Sequence, residues 1–222
     1  MVEKLIEKTG PAVQLDSGSA QTKGERTRER IMDIAYGSII EKGFAATSIE
    51  ELVEAAGITK SGFFYHFRDK NDMARQLFDR FLAEDEAIID TLEKRAHELS
   101  DDPLQSFLIF LNLYAQMMDD METLHPGCMV ATVTYQERLF DAEVKRMNVE
   151  YLERMRARFA NAFARIAAEH PPRGNVDLDA LADNLTVIVE GAIVLSKALN
   201  DPGLMGRQTR LFRNHIKLIF GA

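Results

Sequence analysis

Apolar residues recur along this chain at the three- and four-residue spacing of helices, and no stretch shows sustained strand alternation. Ile31, Ile34, Ala35 and Ile39 mark a first helix that begins near Lys23 and ends at Gly43. Leu52, Val53 and Ala56 give a short second helix, with Thr47 as its expected N-cap and Glu50 completing a capping box. Gly57 stops it, Ile58 plugs the turn, and Thr59 caps a third helix over about 60–66. Asp69 caps a long fourth helix reaching about Leu99, lined by Met73, Leu77, Phe81, Ile88 and Leu92. Asp102-Pro103 opens a fifth, apolar over Phe107–Met118. A sixth is expected over 128–139, and Asp141 caps a seventh that ends at His170-Pro171-Pro172. An eighth follows Asp177 over 178–199, and a ninth covers about 204–220. The fold class is all-α. Residues 1–22 lack a sustained period and are expected to form a flexible arm.

Composition narrows the class. Of 222 residues, 46% are hydrophobic and 28% charged, the balance of a soluble globular chain. The net charge of −8 is unevenly placed. Residues 23–70 carry eight basic and eight acidic side chains, whereas 71–222 carry 17 basic and 24 acidic. The acidity sits outside the short helices, and an acidic body repels nucleic acid wherever it is not meant to touch. The single cysteine, Cys128, excludes an intrachain disulfide and a thiolate zinc site and fits a reducing compartment. The start, MVEKLIEKTGPAVQ, lacks the apolar stretch of a secretory signal, and no run approaches the ~20 apolar residues of a membrane span. A cytoplasmic protein is expected.

Residues 47–70, TSIEELVEAAGITKSGFFYHFRDK, are two short helices around a glycine turn, the second polar, basic and aromatic. This is the layout of a helix-turn-helix, whose second helix enters the DNA major groove. Thr47 and Ser48 place hydroxyls and free N–H groups at a helix start, which suits a phosphate, although Thr47 reads equally as a cap. Thr59, Lys60, Ser61 and Gly62 form the first turn of the reading helix, where Lys60 can reach guanine O6/N7 or a phosphate. Tyr65 and His66 can donate to the backbone. Phe63 and Phe67 read as core.

Taken in order, Arg28, Ile31, Ala35, Gly43-Phe44, Thr47-Ser48-Ile49, Ala56-Gly57-Ile58-Thr59-Lys60, the cluster Phe63-Phe64-Tyr65-His66-Phe67 and Lys70 resemble the N-terminal domain of the TetR family of transcriptional regulators. The resemblance covers about residues 26–73. It implies phosphate contacts from Lys70 and Arg28, though Arg28 also fits an ion pair with Glu29 or Glu25. One position departs: many relatives place a phosphate-binding Tyr where Phe64 stands. Phe64 cannot donate, and Tyr65 points about 100° further round the helix. The implied organisation is an arm at 1–22, a DNA-binding domain at 23–70, and an effector-binding and dimerisation domain at 71–222.

Beyond the fourth helix the resemblance is one of architecture. It implies that the last two helices form a four-helix bundle with a second subunit through Ile188, Gly191, Ala192, Leu195, Leu211, Phe212, Ile216 and Ile219. The competing reading is that these faces close their own core. Helices five to seven would enclose an effector, with Tyr114, Met117, Met118, Met121, Cys128, Tyr135 and Phe163 as lining candidates; Met and aromatic stripes are more often ordinary core. Gly127-Cys128-Met129-Val130 and EGAIVLSK at 190–197 resemble one branch of the family. A thiol at a helix N-terminus is a stronger nucleophile; a small buried hydrophobe is the other reading.

The function expected is a dimeric repressor that binds a pseudo-palindromic DNA operator and is released by a small-molecule effector acting through helix four. No cofactor or metal is called for. The five histidines lack metal-ligand spacing, and neither a phosphate loop nor a nucleophile elbow appears. The alternatives are an enzyme or carrier built on a helical bundle, and a ligand-independent DNA binder.

Overall fold

The computed structural model describes residues 22–121 and 123–221. Apart from Thr22, the expected arm lies outside the described residues. Within them every regular element is helical: α1 (Lys23–Lys42), α2 (Ile49–Ala55), α3 (Lys60–His66), α4 (Lys70–Leu99), α5 (Pro103–Asp119), α6 (Met129–Tyr135), a 3-10 turn (Glu137–Leu139), α7 (Ala142–Glu169), α8 (Leu178–Leu199) and α9 (Leu204–Phe220). They fall into two compact units. Among the described residues, the first takes 22–84 together with Pro126–Glu150; the second takes Asp85–His125 and the residues from Tyr151 onward. The first therefore reaches past residue 70 and draws in a distant segment.

The helix ends follow local chemistry. Thr22 and Glu25 form a reciprocal capping box at α1, and Gly43 ends that helix with φ +88°. The α2 cap lies one residue later than the expected Thr47. Ser48 Oγ accepts from Glu51 N–H at 3.2 Å, and the Glu51 carboxylate accepts from Ser48 N–H. Asp69 Oδ1 accepts from Asp72 N–H at 2.8 Å, and Asp102 Oδ1 from Gln105 N–H at 2.7 Å. Asn200 ends α8 in the left-handed conformation.

The expected sixth helix is interrupted. Gln136 leaves helical geometry, with φ −114° and ψ 26°, and its side chain accepts from Phe44 N–H at 3.1 Å. The Phe44 ring stacks on Phe140 at 4.6 Å. Arg75 bridges Asp72 and Glu143, each at 2.7 Å. These contacts bind residues 126–150 into the first unit. That unit's core holds Ile31, Leu52, Phe63, Phe67, Met73 and Leu77, all at most 1% exposed.

The buried stripe on α4 keeps Met73, Leu77 and Leu92 of the expected one but differs at its other positions. Phe78, Leu82 and Ile89 are inside, while Phe81 and Ile88 are only half-buried. In the second unit, α9 packs on α5 and α8. Phe107 meets Phe163 edge-on at 4.9 Å, and Phe163 stacks on Phe220. Arg213 Nε donates to Leu108 O at 3.1 Å. Arg154 reaches Glu86 at 2.6 Å and Arg158 reaches Glu93 at 2.6 Å, tying α7 to the second half of α4. Asp85, close by, accepts from the Tyr151 hydroxyl, and burial pushes its carboxyl up.

Candidate nucleic-acid interface

The turn between α2 and α3 reverses in three residues. Ala56 N–H donates to Leu52 O at 2.9 Å, Gly57 N–H to Glu54 O at 3.0 Å, and Ile58 N–H to Val53 O at 3.0 Å. Gly57 has φ +61°, and a Cβ there would meet nothing within 4 Å. The glycine is needed for its backbone conformation, not for space. Thr59 then caps α3, its hydroxyl accepting from Gly62 N–H at 3.1 Å.

On α3, Phe63 is 0% and Phe67 1% exposed. These two rings, 5.4 Å apart, fix the helix to its unit. The rest of its surface is open: Thr59, Lys60 and Ser61 are exposed, Phe64 is 46% and Tyr65 82% exposed, and Gly62 and His66 are half-buried. A helix of two turns thus keeps aromatic anchors inward and presents a polar first turn and an unencumbered tyrosine outward.

The flanking cations are not idle. Lys60 Nζ sits 2.6 Å from Glu50 on α2, which holds the Glu50 carboxyl below its usual range. Lys70 Nζ donates to Phe44 O and lies 4.1 Å from the Phe44 ring centroid; burial lowers its pKa. Arg28 pairs with Glu29 at 3.2 Å, donates to Gln76, and stands 5.8 Å from the Phe67 ring centroid. Both Arg28 and Lys70 are partly exposed at the edge of the same unit.

Thr47 corrects the reading of a surface hydroxyl. It is fully buried, lies 2.9 Å from Ser38 Oγ and donates to Gly43 O at 3.0 Å. Ser48, exposed, occupies the cap. Sequence reasoning also missed Gln136, Phe140 and Glu143, which join this unit from far along the chain, a separation that leaves no local signal.

Residues 31–77 match the family model described as "Bacterial regulatory proteins, tetR family". The transcriptional regulator AcuR of Cereibacter sphaeroides is 26% identical over 180 residues, 80% of this chain and 79% of that protein. Residues 31–77 thus resemble the N-terminal domain of the TetR family. Members are DNA-binding transcriptional regulators, and α2, the turn and α3 are the family's helix-turn-helix. The HTH-type transcriptional regulator AcrR of Shigella flexneri is 32% identical over 57 residues, 26% of each chain. A crystal structure of a TetR family regulator from Agrobacterium tumefaciens, 21% identical, superposes with a TM-score of 0.73 over 87% of this chain and 98% of that one, which shows a shared fold.

Of the expected effector residues in the second unit, Met117 and Met118 are buried and Tyr114 and Met121 half-buried. Phe163 is fully buried between Phe107 and Phe220. In the first unit Cys128 is half-buried before α6, and Tyr135 is 83% exposed. Asn148 on α7 was not foreseen: it is 6% exposed, its Nδ2 donates to Thr134 Oγ1 at 2.9 Å, and its Oδ1 has no partner among the described residues.

Of the bundle candidates, Gly191, Leu195 and Leu211 are exposed, and Ile188 and Ile219 half-buried. Ala192, Phe212 and Ile216 are 3%, 1% and 0% exposed. Those three close their own chain's core and are unavailable to another subunit. The outward face instead carries Val187, Val194, Leu195 and Leu199 of α8 and Leu211 and Leu218 of α9.

His170 meets Asp102 at 2.6 Å beside Glu169, a contact that joins two helix ends while Asp102 also caps α5. No helix among the described residues is long and apolar enough to cross a membrane.

Proposed function

We propose that this protein is a homodimeric repressor of the TetR family that binds an inverted-repeat operator through α3 and leaves it when a small-molecule effector binds the C-terminal helices. One observation carries the reading: Thr59, Lys60, Ser61, Phe64 and Tyr65 project outward from a helix whose Phe63 and Phe67 are wholly buried. A reading helix needs that polarity of faces, rigid behind and polar in front. Lys60 meets base edges; Ser48 N–H and hydroxyl, Tyr65, Lys70 and Arg28 meet phosphates. With its hydroxyl occupied, Thr47 supports the cap from behind.

A single short helix reads few base pairs, so two heads are required. The exposed apolar side chains on α8 and α9 are the face that pairs them, since six large hydrophobics left exposed on two helices that pack together fit an interaction surface. Release requires an effector that favours a non-binding arrangement by a few kcal/mol. Met117, Met118 and Tyr114 supply apolar and aromatic candidates for its site. The protein acts by binding and not by turnover.

The test is a selection from a random duplex pool with the full-length protein, followed by light scattering of the complex. The expected result is an inverted repeat with half-sites one helical turn or a multiple apart, bound by an even number of subunits. Enrichment of no sequence, or of a lone half-site by one subunit, removes the proposal. A thermal-shift screen of small molecules then identifies compounds that raise Tm and release the selected duplex.

A further inference from the structure

Glu50 opens α2 and Lys60 opens α3, yet their charged groups meet at 2.6 Å. Both remain largely in water, with side chains 68% and 58% exposed. An exposed pair of this kind adds little to the fold. The neighbouring Glu51 is already engaged by Lys42 and by the Ser48 cap. Glu50 is spared both roles, because the capping box expected of it belongs to Glu51.

The place of the pair matters more than its strength. It lies at the first turn of α3, beside exposed Ser61, about 60° round the helix from the buried Phe63. There it sets an ammonium donor and a carboxylate acceptor side by side. In the major groove a G·C pair offers the complementary pattern, with guanine N7 and O6 as acceptors next to the N4 amino donor of cytosine. Lys donates to guanine O6/N7 and Glu accepts from cytosine N4, so the intact pair fits one base pair. Against phosphates or bare acceptors the carboxylate is repulsive, and discrimination by such a penalty is a common source of specificity.

We infer that Glu50 is a specificity-determining residue, and that Glu50 and Lys60 together read a single G·C pair in each half of the operator. This rests on the DNA-binding role proposed above. Without Glu50 the head keeps Lys60 and loses a negative charge, so it binds DNA more tightly and more indifferently.

The experiment uses the full-length protein, its Glu50→Gln, Glu50→Ala and Lys60→Met variants, and a duplex pool with a random core at about 0.15 M salt. Circular dichroism confirms that each variant is folded. Wild type is expected to select a G·C pair at one fixed position of each half-site. Glu50→Gln and Glu50→Ala are expected to keep the rest of the repeat, to lose roughly tenfold or more of the preference for that pair, and to bind unselected duplex more tightly with a steeper salt dependence. Lys60→Met is expected to lose the same position. If the Glu50 variants select the same base with the same preference, or if wild type selects A·T there, Glu50 is no reader and the DNA-binding proposal stands. If wild type selects no sequence, both readings fall together.

Discussion

The Thr47 hydroxyl lies out of water between Ser38 Oγ and the carbonyl of Gly43, one residue from a second hydroxyl that is in water. The two have different physical duties. Removing a buried hydroxyl leaves its partners unsatisfied, at about 1–3 kcal/mol, whereas removing an exposed cap costs about 1 kcal/mol and frees N–H groups that also face phosphate. Thr47→Val is therefore expected to lower the unfolding free energy in urea by about 1–3 kcal/mol while the affinity of the folded protein for its selected duplex stays within about twofold. Ser48→Ala is expected to lower stability less and DNA affinity more. The reverse ranking would return Thr47 to the phosphate backbone. Neither role is visible in the string Thr-Ser, because both residues cap helices well and only the approach of Ser38 on α1 decides which one turns inward.

At the scale of elements, α8 and α9 show how an amphipathic pattern leaves direction open. Each has one stripe that packs within the chain and a second apolar stripe that does not. Leu185, Ala192, Ile193 and Ser196 of α8 and Phe212, Ile216 and Phe220 of α9 face inward; Val187, Val194, Leu199 and Leu218 face outward. The helical period reports that a stripe exists, not which neighbour covers it. A charge placed on the outer stripe tests the assignment. Val194→Asp and Leu218→Asp together are expected to halve the mass seen in light scattering, leave helicity intact and abolish binding to a full inverted repeat. A mass unchanged at micromolar concentration would assign pairing to another surface. The same scale explains α6, whose register breaks at Gln136 because its side chain is drawn to Phe44 N–H; a contact between residues 92 apart lies beyond any local window.

Over the whole molecule, acid sensitivity has an identifiable source. Burial, with the Lys197 ammonium adding to it, lowers the pKa of His125 from 6.5 to about 4. The unfolded chain therefore takes up this proton near 6.5 and the folded chain only near 4. Between those values the unfolded state holds more protons, so stability is full above 6.5 and falls as pH falls toward 4. One such group gives a slope of at most ~1.4 kcal/mol per pH unit. The carboxylates held low, such as Asp69 and Asp102, add their own loss only further into acid, while Asp85, raised by burial, gains stability as it protonates. His125→Gln is expected to flatten the urea midpoint against pH between about 6.5 and about 4.5; an unchanged slope assigns the acid loss to another group.

What the amino-acid string settles alone is everything governed by neighbours in sequence. Gly43, Gly57, Thr59, Asp69, Asp102 and Asp177 set helix ends through single turns of backbone, and the order of caps, glycines, aromatics and lysines from Arg28 to Lys70 carries the resemblance to the TetR N-terminal domain. What only the tertiary structure decides is whatever depends on partners far along the chain: that Thr47 is covered, that Glu50 meets Lys60, that Gln136 and Phe140 join the head, and which stripes of α4, α8 and α9 are left to water. Hydrogen bonding within a turn is short-ranged and written in a few residues, whereas burial is a property of the surface a folded neighbour presents, and no window of sequence contains that neighbour.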